Sequence, residues 1–165
     1  MLCRPNLRFD PLDTSHFEML GQWLAQPHVR QWWGHPDEEM ELIREGFDNG
    51  EVEAFVAQVD GQPVAYVQSW RPANYDEVAW SGLVGDGTIG VDIFIGPTEA
   101  VGKGFGALIV EAFARKLLAE GAPRVIIDPD AENEGAIRAY TKAGFVPFRR
   151  WTDTDGETVL MEFAA

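Results

Sequence analysis

The sequence has almost no cysteine: Cys3 stands alone among 165 residues. One thiol cannot close an intrachain disulfide, so nothing calls for an oxidising compartment. No run of about 18 apolar residues, the length a membrane span needs, occurs anywhere, and the opening MLCRPNLRFD lacks the apolar core of a secretory leader. These absences predict a soluble, cytoplasmic protein with no membrane partner. Basic residues are also scarce. The chain carries 13 Lys and Arg against 27 Asp and Glu, a net charge of −14, which argues against nucleic acid as a partner. His16, His28 and His35 show neither a metal-ligand spacing nor a carboxylate relay. Ser15, Ser69 and Ser81 sit in no nucleophile elbow, and Cys3 lies too near the terminus to count as a nucleophile. The expectation is therefore no metal and no catalytic triad. Repeats, low-complexity runs and linkers are missing as well, so 1–165 reads as a single domain.

What is present belongs to a folded globule: 45% hydrophobic and 12% aromatic residues. The acid is unevenly spread. Residues 1–100 hold 17 acids against 5 bases, and residues 101–165 hold 10 against 8. The first part attracts a cation and the last tolerates an anion, although ordinary solubilising charge fits the composition equally well.

Hydrophobic periodicity gives the order β-α-α-β-β-β-α-β-α-β-β, a mixed α/β sheet flanked by about four helices. Asp13 caps a helix with Phe17, Leu20 and Leu24 on one face, and Pro27 is read as its stop, followed by an aromatic turn from Val29 to Gly34. Asp37 caps the next, with Met40, Ile43 and Phe47 inward. Asp60-Gly61 marks a hairpin. Residues 71–87 form a long loop, long enough to imply function or mobility. Ile89 to Ile95 is an apolar strand interrupted by Asp92. Phe105, Leu108, Ile109, Ala112, Phe113 and Leu117 then mark the inner face of a helix.

That helix is entered through VGKGFG, residues 101–106. A Walker A loop is excluded, because Gly104 and not a hydroxyl residue follows Lys103. Gly102, Gly104 and Ala107 match a dinucleotide fingerprint in letters. The context is wrong, since Pro97 to Val101 separate the loop from its strand and no acid-ended strand follows. Bare glycine N–H groups at a helix start still suit a pyrophosphate or similar anion, with Lys103 at the rim. A tight, purely structural helix entry is the alternative.

The segment Asn133 to Phe145 reads N-x-x-A-x-x-x-Y-x-x-x-G-F. Together with the glycine loop and the strand order, it resembles the GCN5-related N-acetyltransferases (GNAT), which bind acetyl-coenzyme A. Within that superfamily HVRQWWG, PVAYVQSW, IGVD and IIDPDAENEGAIRAYTKAGF are most similar to aminoglycoside 6'-N-acetyltransferases, and more loosely to hydroxylysine acyltransferases of siderophore synthesis. The resemblance implies a GNAT fold whose central sheet splays between its fourth and fifth strands. It also implies direct acetyl transfer to an amine, with acetyl-CoA as cosubstrate, no metal, and a monomer or homodimer. Coenzyme contacts are implied at Ile93, Phe94, Ile95, Gly102, Lys103, Gly104, Phe105, Gly106, Asn133, Ala136 and Tyr140. Val101 departs from the family's usual Gln or Arg, which removes one side-chain phosphate contact.

An amine must lose a proton before it attacks a thioester. Asp92 is the expected base, because a charge inside an apolar strand is costly unless paired or used. A solvent-facing Asp is the alternative. Asp128 ends the next strand and is expected to bind the substrate ammonium or share the proton, unless it merely turns the chain before Pro129. Tyr140 is the expected acid for the leaving thiolate, with a core tyrosine as its rival. A backbone N–H between Asp92 and Ile95 is expected to serve the oxyanion. Trp32, Trp33, Tyr66, Gln68, Asp76 and Glu77, with Trp70 and Trp80 as further candidates, offer aromatic faces and carboxylates to a cationic sugar. One of Trp32 and Trp33 is expected to be buried. The leading expectation is an aminoglycoside 6'-N-acetyltransferase. The alternatives are an N-hydroxylysine acyltransferase or other small-amine acetyltransferase, and a non-catalytic coenzyme-binding module.

Overall fold

The computed structural model describes residues 4–164, and Cys3 lies outside them. In chain order the elements are β1 (Leu7–Pro11), α1 (Phe17–Leu24), α2 (Pro27–Trp33), α3 (Pro36–Asn49), β2 (Glu53–Val59), β3 (Gln62–Trp70), β4 (Ile89–Ile95), α4 (Phe105–Ala119), β5 (Val125–Ile127), α5 (Glu134–Ala143), β6 (Phe145–Asp153) and β7 (Gly156–Phe163). The strands form one mixed sheet in the order β1-β2-β3-β4-β5-β7-β6. Parallel pairing of β4 with β5 is limited to Ile89↔Val125, Gly90↔Ile126 and Val91↔Ile127. Beyond Val91, β4 runs on to Ile95 without β5, so the sheet parts between its fourth and fifth strands. The chain divides into two compact units, Met1–Gln68 with Ile93–Phe105 and Ser69–Asp92 with Gly106–Ala165.

The first unit pairs β1 antiparallel to β2, from Leu7↔Val59 to Pro11↔Phe55. The Asp60-Gly61 hairpin follows, with both residues at positive φ, 50° and 81°, which suits the right-handed twist of the flanking strands. Asp13 starts a short 3-10 turn, accepting from Ser15 N–H at 2.8 Å while Asp13 N–H donates to His16 Nδ1 at 3.1 Å. That turn leads into α1. The expected stop at Pro27 is corrected here: Pro27 is the first residue of α2, and the aromatic stretch is helical. Proline lacks the N–H that a first helical residue would leave unused, so it starts a helix as readily as it ends one. His35, not Asp37, caps α3, accepting from Asp37 N–H at 3.2 Å. Met40 and Ile43 are buried, whereas Phe47 is partly exposed and packs edge-on to Phe17 at 5.5 Å. The core gathers Leu20, Trp23, Leu24, Val29, Val56, Tyr66 and Phe94. Burying side chains of this size stabilises by about 1.5–3 kcal/mol each.

In the second unit β7 lies antiparallel to both β5 and β6. Its long segment between β3 and β4 holds two 3-10 turns, Pro72–Asn74 and Ser81–Leu83. Trp80 and Val84 from that segment are buried against Ile126 and Leu160, with Trp70, Val78 and Trp151 packed around them. Helix α4 buries Ala107, Ile109, Val110, Phe113, Ala114 and Leu117. The inner face is thus rotated from the expected one, because small Ala107 and Ala114 let the helix sit close and leave Leu108 and Ala112 at the margin. Among the described residues no helix is long and apolar enough to cross a membrane.

Candidate active site

The end of the β4–β5 ladder brings two carboxylates together. Asp92 and Asp128 are the next residues after the last pair, Val91↔Ile127, so the two carboxylates fall at matching positions on one face. Both are half-buried. Burial, and then the charge of Asp92, push the Asp128 carboxyl well above the ordinary carboxylate range. Tyr140, at the end of the second turn of α5, is half-buried too. Burial, followed by the charges of Asp92 and Asp128, raises its phenol above the usual value. All three groups lie in the second unit. Two carboxylates this close do not ionise together cheaply: the pair keeps a proton or recruits a cation. Tyr140, held protonated, is a donor.

Helix α5 is placed by its caps. Asn133 Oδ1 accepts from Ala136 N–H at 3.2 Å, and Gly144 closes the helix in the left-handed conformation. Asn133 is therefore engaged in holding the helix that carries Tyr140.

Along β4 the N–H groups alternate sides. Ile89 N–H donates to Arg124 O at 2.9 Å and Gly96 N–H to Val64 O at 2.9 Å. Ile93 and Ile95 share the side of Ile89, and β5 offers them no partner. Phe94 lies on the opposite course, buried and stacked on Tyr66 at 5.4 Å. The glycine loop then opens α4. Gly102 and Gly104 stand at φ 79° and 82°, with open space where a Cβ would be. Their N–H groups at the start of a 15-residue helix fit an anion. Lys103 is exposed and makes no ion pair among the described residues, Phe105 and Gly106 begin the helix, and Val101 is exposed beside them.

Other expected contacts fall differently. Trp33 packs into the core of the first unit, edge-on to Phe94 at 4.9 Å and to Tyr66 at 6.2 Å. Trp32 is 37% exposed. Tyr66 has no exposed surface, which corrects the expectation that it offers a face to substrate. Its hydroxyl donates to Gln68 Oε1 at 2.5 Å instead, so Tyr66 orients half-buried Gln68. Trp80 is likewise a core residue, and Trp70 is half-buried beside it, whereas Asp76 and Glu77 are exposed. Sequence reasoning passed over His28, whose Nε2 lies 2.8 Å from Ile95 O. No spacing rule reveals a bond to a main-chain carbonyl 67 positions away. Among the described residues no three His, Cys, Asp or Glu side chains converge as a metal would require.

A family model described as an acetyltransferase (GNAT) domain matches residues 13–152. Aminoglycoside N(6')-acetyltransferase type 1 of Klebsiella pneumoniae is 29% identical over 159 residues, covering 91% of this chain and 79% of that protein. Lysine N-acyltransferase MbtK of a Mycobacterium species is 25% identical over 132 residues, covering 77% of this chain but 54% of that protein. Solved structures of the aminoglycoside acetyltransferase AAC(6')-Ib, one with ribostamycin and coenzyme A and another with acetyl-CoA, superpose with a TM-score of 0.80 at 26% identity, covering 98% of this chain and 94% of theirs. A sheet that parts after three parallel pairs, together with a family match over most of its length, makes this chain a member of the GNAT acetyltransferase family.

Proposed function

We propose that the protein transfers an acetyl group from acetyl-CoA directly to a primary amine of a polycationic aminoglycoside, the 6'-amine, and thereby confers resistance. The observation that carries this reading is the carboxylate pair Asp92–Asp128 beside Tyr140, at the parting of β4 and β5. The relatives that act on aminoglycosides support it. A substrate ammonium supplies the positive charge that the pair otherwise takes up as a proton, and Asp76 and Glu77 add negative charge that attracts a cationic acceptor. Asp92 accepts the ammonium proton, the freed amine forms the C–N bond, the C–S bond breaks, and Tyr140 gives its proton to the thiolate. Ile93 or Ile95 N–H stabilises the oxyanion. The loop Gly102–Gly106 binds the pyrophosphate. The reading places the protein in the cytoplasm.

The test is thiol release from acetyl-CoA with kanamycin, tobramycin, hydroxylysine or a basic peptide supplied in turn. Turnover with the two aminoglycosides is expected. Turnover with hydroxylysine alone would transfer the reading to the lysine acyltransferases, a possibility favoured by the 25% identical relative. Coenzyme binding without any turnover would leave a binding module.

A further inference from the structure

Helices α1 and α2 grip the short segment that joins β4 to the glycine loop. His28, the second residue of α2, bonds Ile95 O at 2.8 Å. A carbonyl only accepts, so Nε2 carries the proton and the tautomer is set. Gln26, which caps α2, accepts at Oε1 from Thr98 Oγ1 at 3.1 Å. The ring of Trp23 lies so close over Gly96 that a Cβ there would collide with it. Ile95 O shares the side of Ile95 N–H, the edge that β5 leaves after Val91. The imidazole thus stands where a strand partner would otherwise be.

We propose that His28 is a positioning residue for the donor. By holding the Ile95 carbonyl it fixes the edge of β4, so that the Ile93 and Ile95 N–H groups meet the amide-bearing arm of a coenzyme A thioester. The inference rests on the acetyl-CoA reading above.

The experiment compares His28→Phe, which keeps a ring and loses the donor, with His28→Gln, whose Nε2 amide keeps a donor at similar reach. Calorimetry gives the Kd of coenzyme A. His28→Phe is expected to weaken coenzyme A about 5–10-fold, the scale of one hydrogen bond, with His28→Gln within about twofold of wild type. A His28→Phe protein with a lower Tm but wild-type coenzyme affinity overturns the proposal and makes His28 structural. If the variants do not fold, imidazole nitrogen NMR of the wild type decides. A His28 Nε2–H signal that moves on adding coenzyme A supports the proposal, and one that stays overturns it. Wild-type protein that binds no coenzyme A overturns the functional reading itself.

Discussion

In the first unit Trp23 lies over Gly96, and in the second Trp70 lies over Gly90, its Nε1 2.6 Å from where a Cβ would stand. Both indoles approach the chain over a glycine, Gly90 within β4 and Gly96 just past its end, yet their surroundings differ. Trp23 belongs to a cluster of apolar and aromatic residues, edge-on to Phe94 at 6.3 Å. The polar groups set into that unit are answered nearby, Tyr66 by Gln68 and His28 by Ile95 O. Trp70 and Trp151, in the second unit, keep buried Nε1–H groups with no hydrogen-bond partner among the described residues. The same unit holds Asp92, Asp128 and Tyr140, where burial and then the neighbouring carboxylate charge raise the Asp128 carboxyl and the Tyr140 phenol. The first unit answers its buried polar groups, whereas the second holds two buried indole N–H groups without partners among the described residues, together with a carboxyl and a phenol whose charged forms burial disfavours.

The contrast can be broken in four ways, beginning with the largest effect. Asp92→Asn is expected to lower turnover about 10²–10⁴-fold with the Kd of coenzyme A unchanged; equal kinetics would remove Asp92 from proton transfer. Tyr140→Phe should lower kcat by about 10²-fold, and an unaltered rate would make the ring a packing group. Gly96→Ala is expected to destabilise by about 2–3 kcal/mol in urea unfolding, against about 1 for Gly90→Ala. A Cβ at Gly96 would meet Trp23 closer still than the 2.6 Å at which one at Gly90 would meet Trp70, so equal losses would erase the distinction between the units. Asp128→Asn should stabilise near neutral pH. A raised carboxyl pKa means that folding favours the protonated form, so its stability is complete below the unfolded pKa and is lost as pH rises through the folded one. The Tm gain, at about 2–4 °C per kcal/mol for a chain of this length, should therefore shrink as the pH is lowered from the raised folded value down to the ordinary carboxylate range, where it is gone. A gain independent of pH would point to repacking instead.

Much of this was legible in the residues themselves. Asp92 announced itself as a charge in an apolar strand, Asp60-Gly61 as a hairpin, and Asn133 and Gly144 as the ends of one helix. Helix α2 was missed because proline has the same missing N–H at a start as at a stop, and only the tertiary setting decides which it is. The buried face of α4 was misjudged because spacing favours the largest apolar residues, while Ala107 and Ala114 are buried by how close the helix lies. Tyr66 looked like a sugar platform. Its hydroxyl instead serves Gln68 from inside the core, and local pattern does not distinguish a buried phenol from a surface one. The role of His28 depends on a main-chain carbonyl distant in sequence, which leaves no trace in spacing.

The central claim is that the carboxylate pair handles the proton of the acceptor amine. The pH dependence of kcat/KM for kanamycin tests it most directly, compared between wild type and Asp128→Asn. Because burial, and then the charge of Asp92, raise the Asp128 carboxyl above the usual range, activity should rise with pH along a limb lying above ordinary carboxylate values, and that limb should move to lower pH when Asp128 becomes Asn. An acidic limb at the same pH in both proteins would contradict the account.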